Sequence, residues 1–372
     1  MEYQICNRCI MDNQSDPMIT FDEMGYCNYC RDSLAQKEYT YFPNEEGRKR
    51  LNELIHLIKQ QGDGKKYDCL MGLSGGLDSS YLAFLGVKWG LRILAVHIDD
   101  GFDTKIAMEN IRKLSSSLSL EITTLHPDEE QFNDLTKAYI LAGVPNLAIP
   151  QDNILFAYLY KLAKKHNIKY FLSGGNFALE SILQQGNSHP AFDLINIKDI
   201  HKRFGTSPID KLEFLSERKR IIDRFIYGIK TVKPLNYIDY RRDIAIHELK
   251  EFCDYNYYEA KHLENILTKV VQLYWFYHKF GVDKRKSHLS SLIISGQVSR
   301  EDALIEMGKP LYDETDMKKD VSFVLDKIKI SKNNFEKIVN ENGHQHTEYK
   351  TSTNYILKFA RKSTFFNKMK QR

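Results

Sequence analysis

The stretch LSGGLDSS, residues 73–80, places two adjacent glycines, an aspartate and three serines between two apolar runs. The preceding run, YDCLMG (67–72), is typical of a buried strand, and the following run, YLAFL (81–85), is typical of a helix. In a parallel sheet, ligands bind where the carboxyl end of a strand meets the start of a helix. Gly75 and Gly76 would let the backbone approach an anion there, with the amides of the helix start pointing toward it.

The side chains of this turn suit an anionic ligand with a bound cation. The hydroxyls of Ser74, Ser79 and Ser80 can donate hydrogen bonds to phosphate oxygens. Asp78 would repel phosphate unless a divalent cation lies between them, and we therefore assign it to Mg²⁺. The alternative is a structural helix cap with glycines required by a tight turn. The sequence contains no GxxxxGK(S/T) motif, and no GxGxxG motif follows a strand, which disfavours a Walker A loop and a dinucleotide site.

Strand and helix patterns alternate along the chain from residue 67 onward. Strands are predicted at YDCLMGLS, LRILAVHIDD, EITTLHP and IKYFLSGGN, with helices between them over 77–89, 104–119, 129–142 and 152–166. This alternation predicts right-handed crossovers and a mostly parallel sheet in an α/β fold. KTVKPLNYI is a further extended stretch, and the chain then becomes mostly helical over 240–254, 263–280, 283–295, 299–307, 319–328 and 331–341.

The overall composition is that of an ordinary globular protein. The 372 residues carry a net charge of only +4, which argues against nucleic acid as a partner. No apolar stretch approaches the roughly 20 residues that cross a bilayer, and MEYQICNRCI lacks the pattern of a signal peptide. We therefore predict a soluble cytoplasmic protein with no membrane partner.

Four of the six cysteines form two CxxC pairs near the start of the chain, the cysteine quartet Cys6, Cys9, Cys27 and Cys30. This spacing is expected of a four-thiolate zinc site, and four sulfurs leave no open position, so the metal would be structural. An iron–sulfur cluster also accepts four cysteines and is the alternative. Cys69 and Cys253 fall in a predicted strand and a predicted helix, where buried thiols are usually inert.

SGGLDSS, with a strand before it and a helix after it, resembles the SGGxDS signature of the PP-loop ATP pyrophosphatases. These enzymes cleave ATP between its α- and β-phosphates and adenylate an oxygen of their substrate. LAVHIDDGF resembles the second strand of that family, LSGGN its later nucleotide-closing loop, and VKPLNYIDYRRDIAIHELKEF its PL-then-helix segment. The resemblance implies ATP-binding residues in three segments: Ser74, Gly75, Gly76, Asp78, Ser79, Ser80, Val96, His97, Asp99, Ser173, Gly174, Gly175 and Asn176.

A narrower resemblance covers the chain to about residue 345. The double CxxC, SGGLDSS, SGGN, HLEN and DKRKSHLSSLIISGQVSREDAL occur in the order typical of the N-acetyl sugar amidotransferase family of bacterial surface-polysaccharide biosynthesis, which serves LPS O-antigen, capsule or flagellin glycans. The resemblance implies a four-cysteine, zinc-ribbon-like zinc-binding unit at 1–35, an adenine nucleotide α-hydrolase-like PP-loop domain at 36–255, a helical substrate-binding region at 256–345 and a basic tail at 346–372.

The family resemblance implies an acetamido sugar as substrate. Its amide oxygen would attack the α-phosphorus of ATP, pyrophosphate would leave, and ammonia would then displace AMP to give an acetamidino sugar. Lys284 and Arg285 are candidates to stabilise the departing pyrophosphate, the alternative being a solvated helix start. Glu180 is a candidate to line the sugar pocket, and Glu264 and Asn265 are candidates to bind the sugar or a second metal, although these two could instead belong to an ordinary helical face.

The chain lacks the marks of a glutaminase. Position 2 is Glu2, where an N-terminal nucleophile glutaminase needs cysteine, and neither Cys69 nor Cys253 stands on a nucleophile elbow. We therefore expect ammonia from a separate enzyme. The family resemblance implies a glutaminase and a channel subunit similar to the imidazole-glycerol-phosphate synthase pair.

The alternative function is that of a PP-loop enzyme that thiolates tRNA, since some of those carry an N-terminal zinc ribbon. The basic tail, with six Lys and Arg residues between 358 and 372, could contact phosphates. Sulfur transfer usually relies on reactive cysteines near the PP-loop, and the predicted burial of Cys69 and Cys253 disfavours it.

Overall fold

The computed structural model describes residues 2–258 and 263–352, and its centre is a five-stranded parallel sheet. The strands lie in the spatial order β3-β2-β1-β4-β5 and are β1 (Cys69–Gly72), β2 (Ile93–Ile98), β3 (Ile122–Leu125), β4 (Tyr170–Leu172) and β5 (Lys230–Val232). β1 is central and pairs in parallel with β2 on one side and β4 on the other. The predicted α/β fold with a parallel sheet is confirmed.

Helices connect the strands and continue beyond them in the described part of the chain. Their bounds are α1 (Asn28–Thr40), α2 (Glu45–Gly62), α3 (Leu77–Lys88), α4 (Lys105–Leu118), α5 (Glu129–Ala142), α6 (Ile149–Lys165), α7 (Phe177–Glu180), α8 (Leu194–Phe204), α9 (Glu217–Phe225), α10 (Arg242–Cys253), α11 (Ile266–Val270), α12 (Phe276–Phe280), α13 (Arg285–Ser295), α14 (Arg300–Met307), α15 (Glu314–Ile328) and α16 (Lys332–Asn340). A π-helical turn, Val271–Trp275, joins α11 to α12, so the helix predicted over 263–280 is continuous from residue 266.

Both faces of the sheet are covered by helices. α3, α4 and α10 pack on one face, in a core that includes Leu82, Leu114 and Leu249. α6 packs on the other face through Leu159 and Tyr160. Burial on both faces explains why the central strands are apolar except for His97 near the end of β2, and why they show no alternation of polar and apolar residues.

The C-terminal helices share a core with α5 and α8 of the α/β region. Trp275 and Tyr139 are fully buried in this core, and the indole of Trp275 donates a hydrogen bond of 2.9 Å to the Val144 carbonyl. The helices that follow the boundary expected near residue 255 therefore pack directly against the α/β region. The predicted basic tail lies almost wholly outside the described residues, as does His262 of the HLEN motif.

The cysteine-rich N-terminal segment packs against α13 and α14. The guanidinium of Arg300 donates to the carbonyls of Cys9, at 3.0 Å, and Cys6, at 3.1 Å. Lys286 pairs with the buried Asp12, and the amide of Ile10 donates to the Ser290 hydroxyl. These contacts hold the segment against the helical region at a fixed place.

Candidate functional site

A groove of about 2380 Å³ opens along the carboxyl edge of the sheet, beside the glycine-rich turn. Its walls come from the turn after β1, the loops after β2 and β4, and the helical region from residue 263 onward. This is the edge at which ligands bind in open parallel α/β sheets. The groove is large enough to accommodate two small molecules, since drug-sized ligands occupy about 300–1,000 Å³.

The glycine-rich turn is shaped by Gly75. Its φ is +76°, and a Cβ at this position would lie 2.5 Å from the Ala107 carbonyl oxygen in the first turn of α4. Gly76 is the N-cap of α3, and the hydroxyls of Ser74 and Ser79 lie 3.2 Å apart above it. Two hydroxyls and the amides of a helix start thus lie together beside the groove, as an anion site requires.

The second glycine-rich loop closes against the first. A Cβ on Gly174 would approach the backbone carbon of Asp78 to 3.1 Å, so the loop lies directly on the first turn of α3. Gly175 also lines the groove. Asn176 is buried and caps α7, because its side-chain oxygen accepts from the Leu179 amide at 2.9 Å. Its side chain therefore shapes the loop and leaves the backbone of the glycines to face a ligand.

Asp78 lies on the groove side of α3 and is held by Tyr240. The phenol of Tyr240 donates to Asp78 Oδ1 at 2.5 Å. Tyr240 is 1% exposed, and its burial, followed by the charge of Asp78, raises its pKa well above the usual value. The phenol therefore stays a donor at neutral pH and fixes one carboxylate oxygen while the carboxylate still lines the groove.

His97, at the end of β2, links the turn to the next loop. Its Nδ1 lies 2.9 Å from the Leu73 carbonyl oxygen, and its Nε2 lies 3.1 Å from Asp103 Oδ2. Burial opposes the charge on the ring, but the hydrogen bond and the charge of Asp103 outweigh it, so the pKa of His97 is raised. A protonated ring donates to both acceptors at once, which a neutral imidazole cannot do.

Three further side chains expected at the nucleotide lie outside the groove lining. Ser80 is fully buried, because it points from α3 into the protein, so its hydroxyl is not in reach of a phosphate. Val96 is also fully buried, within β2, and pairs with Gly72. Asp99 follows β2, and its carboxylate accepts from the Gly101 amide at 2.9 Å. Helix and strand periodicity places these side chains away from the groove although their neighbours in sequence line it.

Glu264 reaches over the glycine-rich turn from the helical region. Ser74 Oγ donates to Glu264 Oε1 at 3.3 Å, and the hydroxyl of Tyr258 lies 3.2 Å from Glu264 Oε2. The same phenol oxygen accepts from the Leu77 amide at 3.2 Å. A carboxylate and a phenol thus occupy the donors of the turn, and a phosphate would have to displace them or share a cation with Glu264.

Asn265 anchors the helical region to the loop after β2. It forms a β-bridge with Asp103 and donates to Asp100 Oδ1 at 3.1 Å, while Gln151 donates to the other oxygen of Asp100 at 2.5 Å. Burial, and then the charge of Asp103, raises the pKa of Asp100 to about 6. Asn265 therefore has a structural role at the groove edge, although its side chain also lines the cavity.

The three cationic residues of DKRK have different surroundings, and Lys286 is paired with the buried Asp12 away from the groove lining. Lys284 lines the groove, with its Nζ 3.4 Å from Gln184 Oε1, and burial lowers its pKa to about 8. Arg285 also borders the groove, but its guanidinium is held by the Asp283 carboxylate at 2.7 Å and the Lys309 carbonyl at 2.9 Å. Lys284 is therefore the better-placed cation for an anionic ligand.

Glu180 stands at the end of α7 and borders the groove. Its Oε2 accepts from the Asn176 amide at 3.3 Å, so it lies beside the second glycine-rich loop, as expected for a residue near the bound substrates. The motifs did not indicate three residues of this site. Tyr258 and Gln151 line the groove, and Tyr240 holds the Asp78 carboxylate in place. The aromatic run YNYYEA was the available signal for Tyr258.

The sulfur atoms of the cysteine quartet lie within 4.8 Å of one another, and all four residues are fully buried. The Cys6–Cys30 and Cys9–Cys27 sulfur distances are 3.8 and 3.7 Å. Tetrahedral coordination with a metal–sulfur bond of about 2.3 Å requires a sulfur separation of about 3.8 Å. Backbone amides also donate to the sulfurs of Cys6 and Cys27, which stabilises thiolates. The quartet therefore fits a single tetrahedral ion.

A strand, a glycine-rich turn carrying Ser74 and Asp78, and a second glycine-rich loop thus meet at the carboxyl edge of a parallel sheet. Residues 264–363 match the family model of the LPS biosynthesis protein WbpG-like, C-terminal domain. The match begins at Glu264, the residue that contacts the glycine-rich turn. The chain thus combines a parallel α/β sheet that carries two glycine-rich loops with a C-terminal region similar to that of LPS biosynthesis proteins.

Relatives of the chain span several enzyme types. An uncharacterized protein of Methanocaldococcus jannaschii is 22% identical over 307 residues, which cover 82% of this chain and 93% of that protein. A glutamine-hydrolyzing GMP synthase of Chlamydia caviae is 40% identical over 85 residues, covering 23% of this chain and 16% of the synthase. The structure of U34-tRNA thiolase NcsA from Methanococcus maripaludis with its 4Fe-4S cluster has 13% identity and a TM-score of 0.34, covering 83% of this chain and 90% of that chain.

Gly75→Ala should abolish nucleotide binding. The new Cβ would meet the Ala107 carbonyl at 2.5 Å, in addition to the roughly 1–2 kcal/mol cost of a positive φ for a residue with a side chain. Gly64→Ala is the matched control, because Gly64 has a φ of +70° with nothing within 4 Å of its Cβ position. Isothermal titration with ATP and Mg²⁺ measures both variants. Wild-type affinity in Gly75→Ala would contradict the assignment of the turn.

Proposed function

We propose that this protein is an ATP-dependent amidotransferase that converts the acetamido group of a sugar into an acetamidino group in surface-polysaccharide biosynthesis. The observation that carries the proposal is the make-up of the groove. The glycine-rich turn and three residues of the C-terminal half, Glu264, Asn265 and Lys284, line the same cavity. A nucleotide and a second substrate can therefore be held side by side.

The first step would activate an oxygen that is otherwise a poor leaving group. The amide oxygen of the acetamido group attacks the α-phosphorus of ATP, and pyrophosphate leaves with the bonding electrons. Ser74, Ser79 and the amides at the start of α3 would hold phosphate oxygens, and Lys284 would offset the charge that develops on pyrophosphate. The product is an O-adenylated imidate.

The second step would replace oxygen by nitrogen. Ammonia adds to the imidate carbon and loses a proton, and AMP departs with the former amide oxygen to leave an amidine.

Asp100, whose pKa is raised to about 6 by burial, is ionised above that pH and lies at the groove. Its two oxygens already accept hydrogen bonds from Asn265 and Gln151, so its role is to fix the wall beside the substrates.

The carboxylates beside the turn fit a role in Mg²⁺ binding. Asp78 and Glu264 both line the groove next to Ser74, and carboxylate oxygens are the ligands that Mg²⁺ prefers. When bound, Mg²⁺ would neutralise charge on the phosphates. Tyr240 orients Asp78, and Tyr258 orients Glu264.

Ammonia would come from a partner protein. A glutaminase of the cysteine type needs an accessible thiolate, but all six cysteines of the chain are buried. Burial raises the pKa of the Cys69 thiol, the cysteine nearest to the turn in sequence. We propose a separate glutaminase with a channel subunit, similar to the imidazole-glycerol-phosphate synthase pair, that delivers ammonia to the groove.

The buried cysteines also bear on the alternative, thiolation of tRNA. A persulfide carrier would need an exposed thiol, and neither Cys69 nor Cys253 is exposed. The sulfur spacing of the quartet suits one ion better than a multi-iron cluster, and we propose that the ion is a structural Zn²⁺. Sugar amidation is therefore the better-supported function.

The proposed reaction predicts a defined product. Incubation with ATP, Mg²⁺, ammonium salt and a panel of acetamido sugars should release AMP and pyrophosphate and yield a sugar in which NH replaces one oxygen, as measured by mass spectrometry. Asp78→Asn should lose at least about a hundredfold in rate, whereas Asp243→Asn, an exposed carboxylate on α10, should match the wild type. Thiolated tRNA formed by the protein, with no sugar consumed, would overturn the proposal.

Lys284 predicts a pH dependence of nucleotide affinity. Its pKa is lowered to about 8, so its positive charge is present below that pH and is lost above it. Between pH 7 and pH 9, ATP affinity of the wild type should fall roughly tenfold, the worth of one charged hydrogen bond. Lys284→Arg should keep its affinity over this range, and Lys284→Gln should bind weakly at both pH values. A pH profile of Lys284→Gln identical to that of the wild type would exclude this role.

Metal analysis tests the quartet. The purified protein should contain zinc in equal molar amount to the chain, and Cys9→Ser should lose the metal and lower the melting temperature. Cys253→Ser is the control, since Cys253 is a buried thiol outside the quartet and its removal should leave the zinc in place. Iron with a visible absorption band, in place of zinc, would contradict the assignment.

A further inference from the structure

The surface around the end of α9 is formed by large apolar side chains that are exposed to solvent. Phe225 is 76% exposed and Ile226 is 73% exposed, the two highest values among the large apolar residues of the described chain. Their neighbours on the same turn are also exposed: Ile221, Ile222 and Tyr227. We call these five residues the α9 patch. Contiguous exposed apolar patches mark interaction sites.

The opposite side of α9 is already well packed. Asp223 is buried and accepts from Lys164 at 2.9 Å, and Ile229 is buried in the core beneath the sheet. Arg220 lies over the Phe192 ring, with 4.9 Å between the guanidinium carbon and the ring centroid. The helix is therefore fixed by one face. Tyr227 of the α9 patch touches that packing, with 5.5 Å between its ring centroid and Lys164 Nζ, whereas Phe225 and Ile226 remain strongly exposed.

Positive charges surround the α9 patch. Lys169 donates to the Tyr227 carbonyl at 2.7 Å, and Lys230 is exposed at the start of β5. Three further exposed cations lie on α9 itself, Arg218, Lys219 and Arg224. The acidic residues of the helix are engaged, since Glu217 pairs with Arg220 and Asp223 with Lys164. The patch is thus an apolar surface with a cationic rim.

The α9 patch lies on the side of the sheet away from the groove. It leads into the first residue of β5, and Lys169 immediately precedes β4, so both belong to the amino edge of the parallel strands. The groove opens at the carboxyl edge. A partner that delivers ammonia has to reach the groove. The α9 patch lies at the opposite edge of the sheet, so it is not a suitable docking site for that partner. A second copy would bring two cationic rims together, which is unfavourable.

We propose that the α9 patch binds the surface of a membrane that contains anionic lipids. Phenylalanine and isoleucine side chains enter the boundary between headgroups and acyl chains, while a rim of Lys and Arg attracts anionic headgroups. No helix in residues 2–258 and 263–352 could cross a bilayer, so the contact is peripheral. The sequence-based expectation of no membrane partner came from the same lack of a spanning segment, which does not bear on surface binding.

Vesicle co-sedimentation of the full chain tests this proposal. The wild type should sediment with vesicles of phosphatidylcholine and phosphatidylglycerol, and much less with phosphatidylcholine alone. Phe225→Ser with Ile226→Ser should reduce binding at least about tenfold, and Lys219→Gln with Lys230→Gln should reduce it about fivefold per charge removed. High salt should weaken the wild type in the same way.

The control variant is Ile305→Ser, which removes an isoleucine that is 68% exposed on α14, away from the α9 patch. It should bind vesicles like the wild type, and melting temperatures of all variants should agree within a few degrees. Absence of sedimentation with anionic vesicles overturns the proposal, as does equal binding by the Phe225 and Ile226 double variant. Self-association that depends on these two residues, without vesicle binding, would show a contact between copies instead.

Discussion

The groove depends on a close backbone contact at Gly75. The turn after β1 can pass beside the first turn of α4 only because residue 75 has no Cβ and adopts a positive φ. This contact sets the direction in which α3 starts, and with it the positions of Ser74, Ser79 and Asp78. The proposed contacts of Ser74, Ser79 and Asp78 with a phosphate or a cation follow from that one packing constraint.

The C-terminal half is built into the same site. Asn265 bridges to Asp103 after β2, and Glu264 contacts Ser74 in the glycine-rich turn. The C-terminal helices also share a core with α5 and α8, so their position relative to the sheet is fixed by packing as well as by these polar contacts. On the proposed function, a groove formed in this way would hold a nucleotide and an acceptor together without a hinge between the sheet and the C-terminal helices.

Much of this architecture could be predicted from sequence because it rests on local patterns. Apolar runs ending at glycine-rich turns indicated the parallel strands, and the CxxC pairs indicated the quartet. The directions in which individual side chains point were harder to predict from the sequence. Ser80 and Val96 belong to the right motifs but point into the core, and Arg285 is held by Asp283. The aromatic run around Tyr258 is visible in the sequence, but its contact with a turn 181 residues away is not, since only the tertiary fold brings the two together.

The cysteine quartet is connected to the groove through a short series of polar contacts. Gln184 donates to the carbonyl of Ser15, which lies between the two CxxC pairs, and accepts from Lys284 in the groove wall. The guanidinium of Arg300 donates hydrogen bonds to the carbonyls of Cys6 and Cys9, the first CxxC pair. Removal of the proposed Zn²⁺ from the quartet would therefore loosen a wall of the groove. On the proposed function, this layout would make the rate of sugar amidation depend on the supply of the metal.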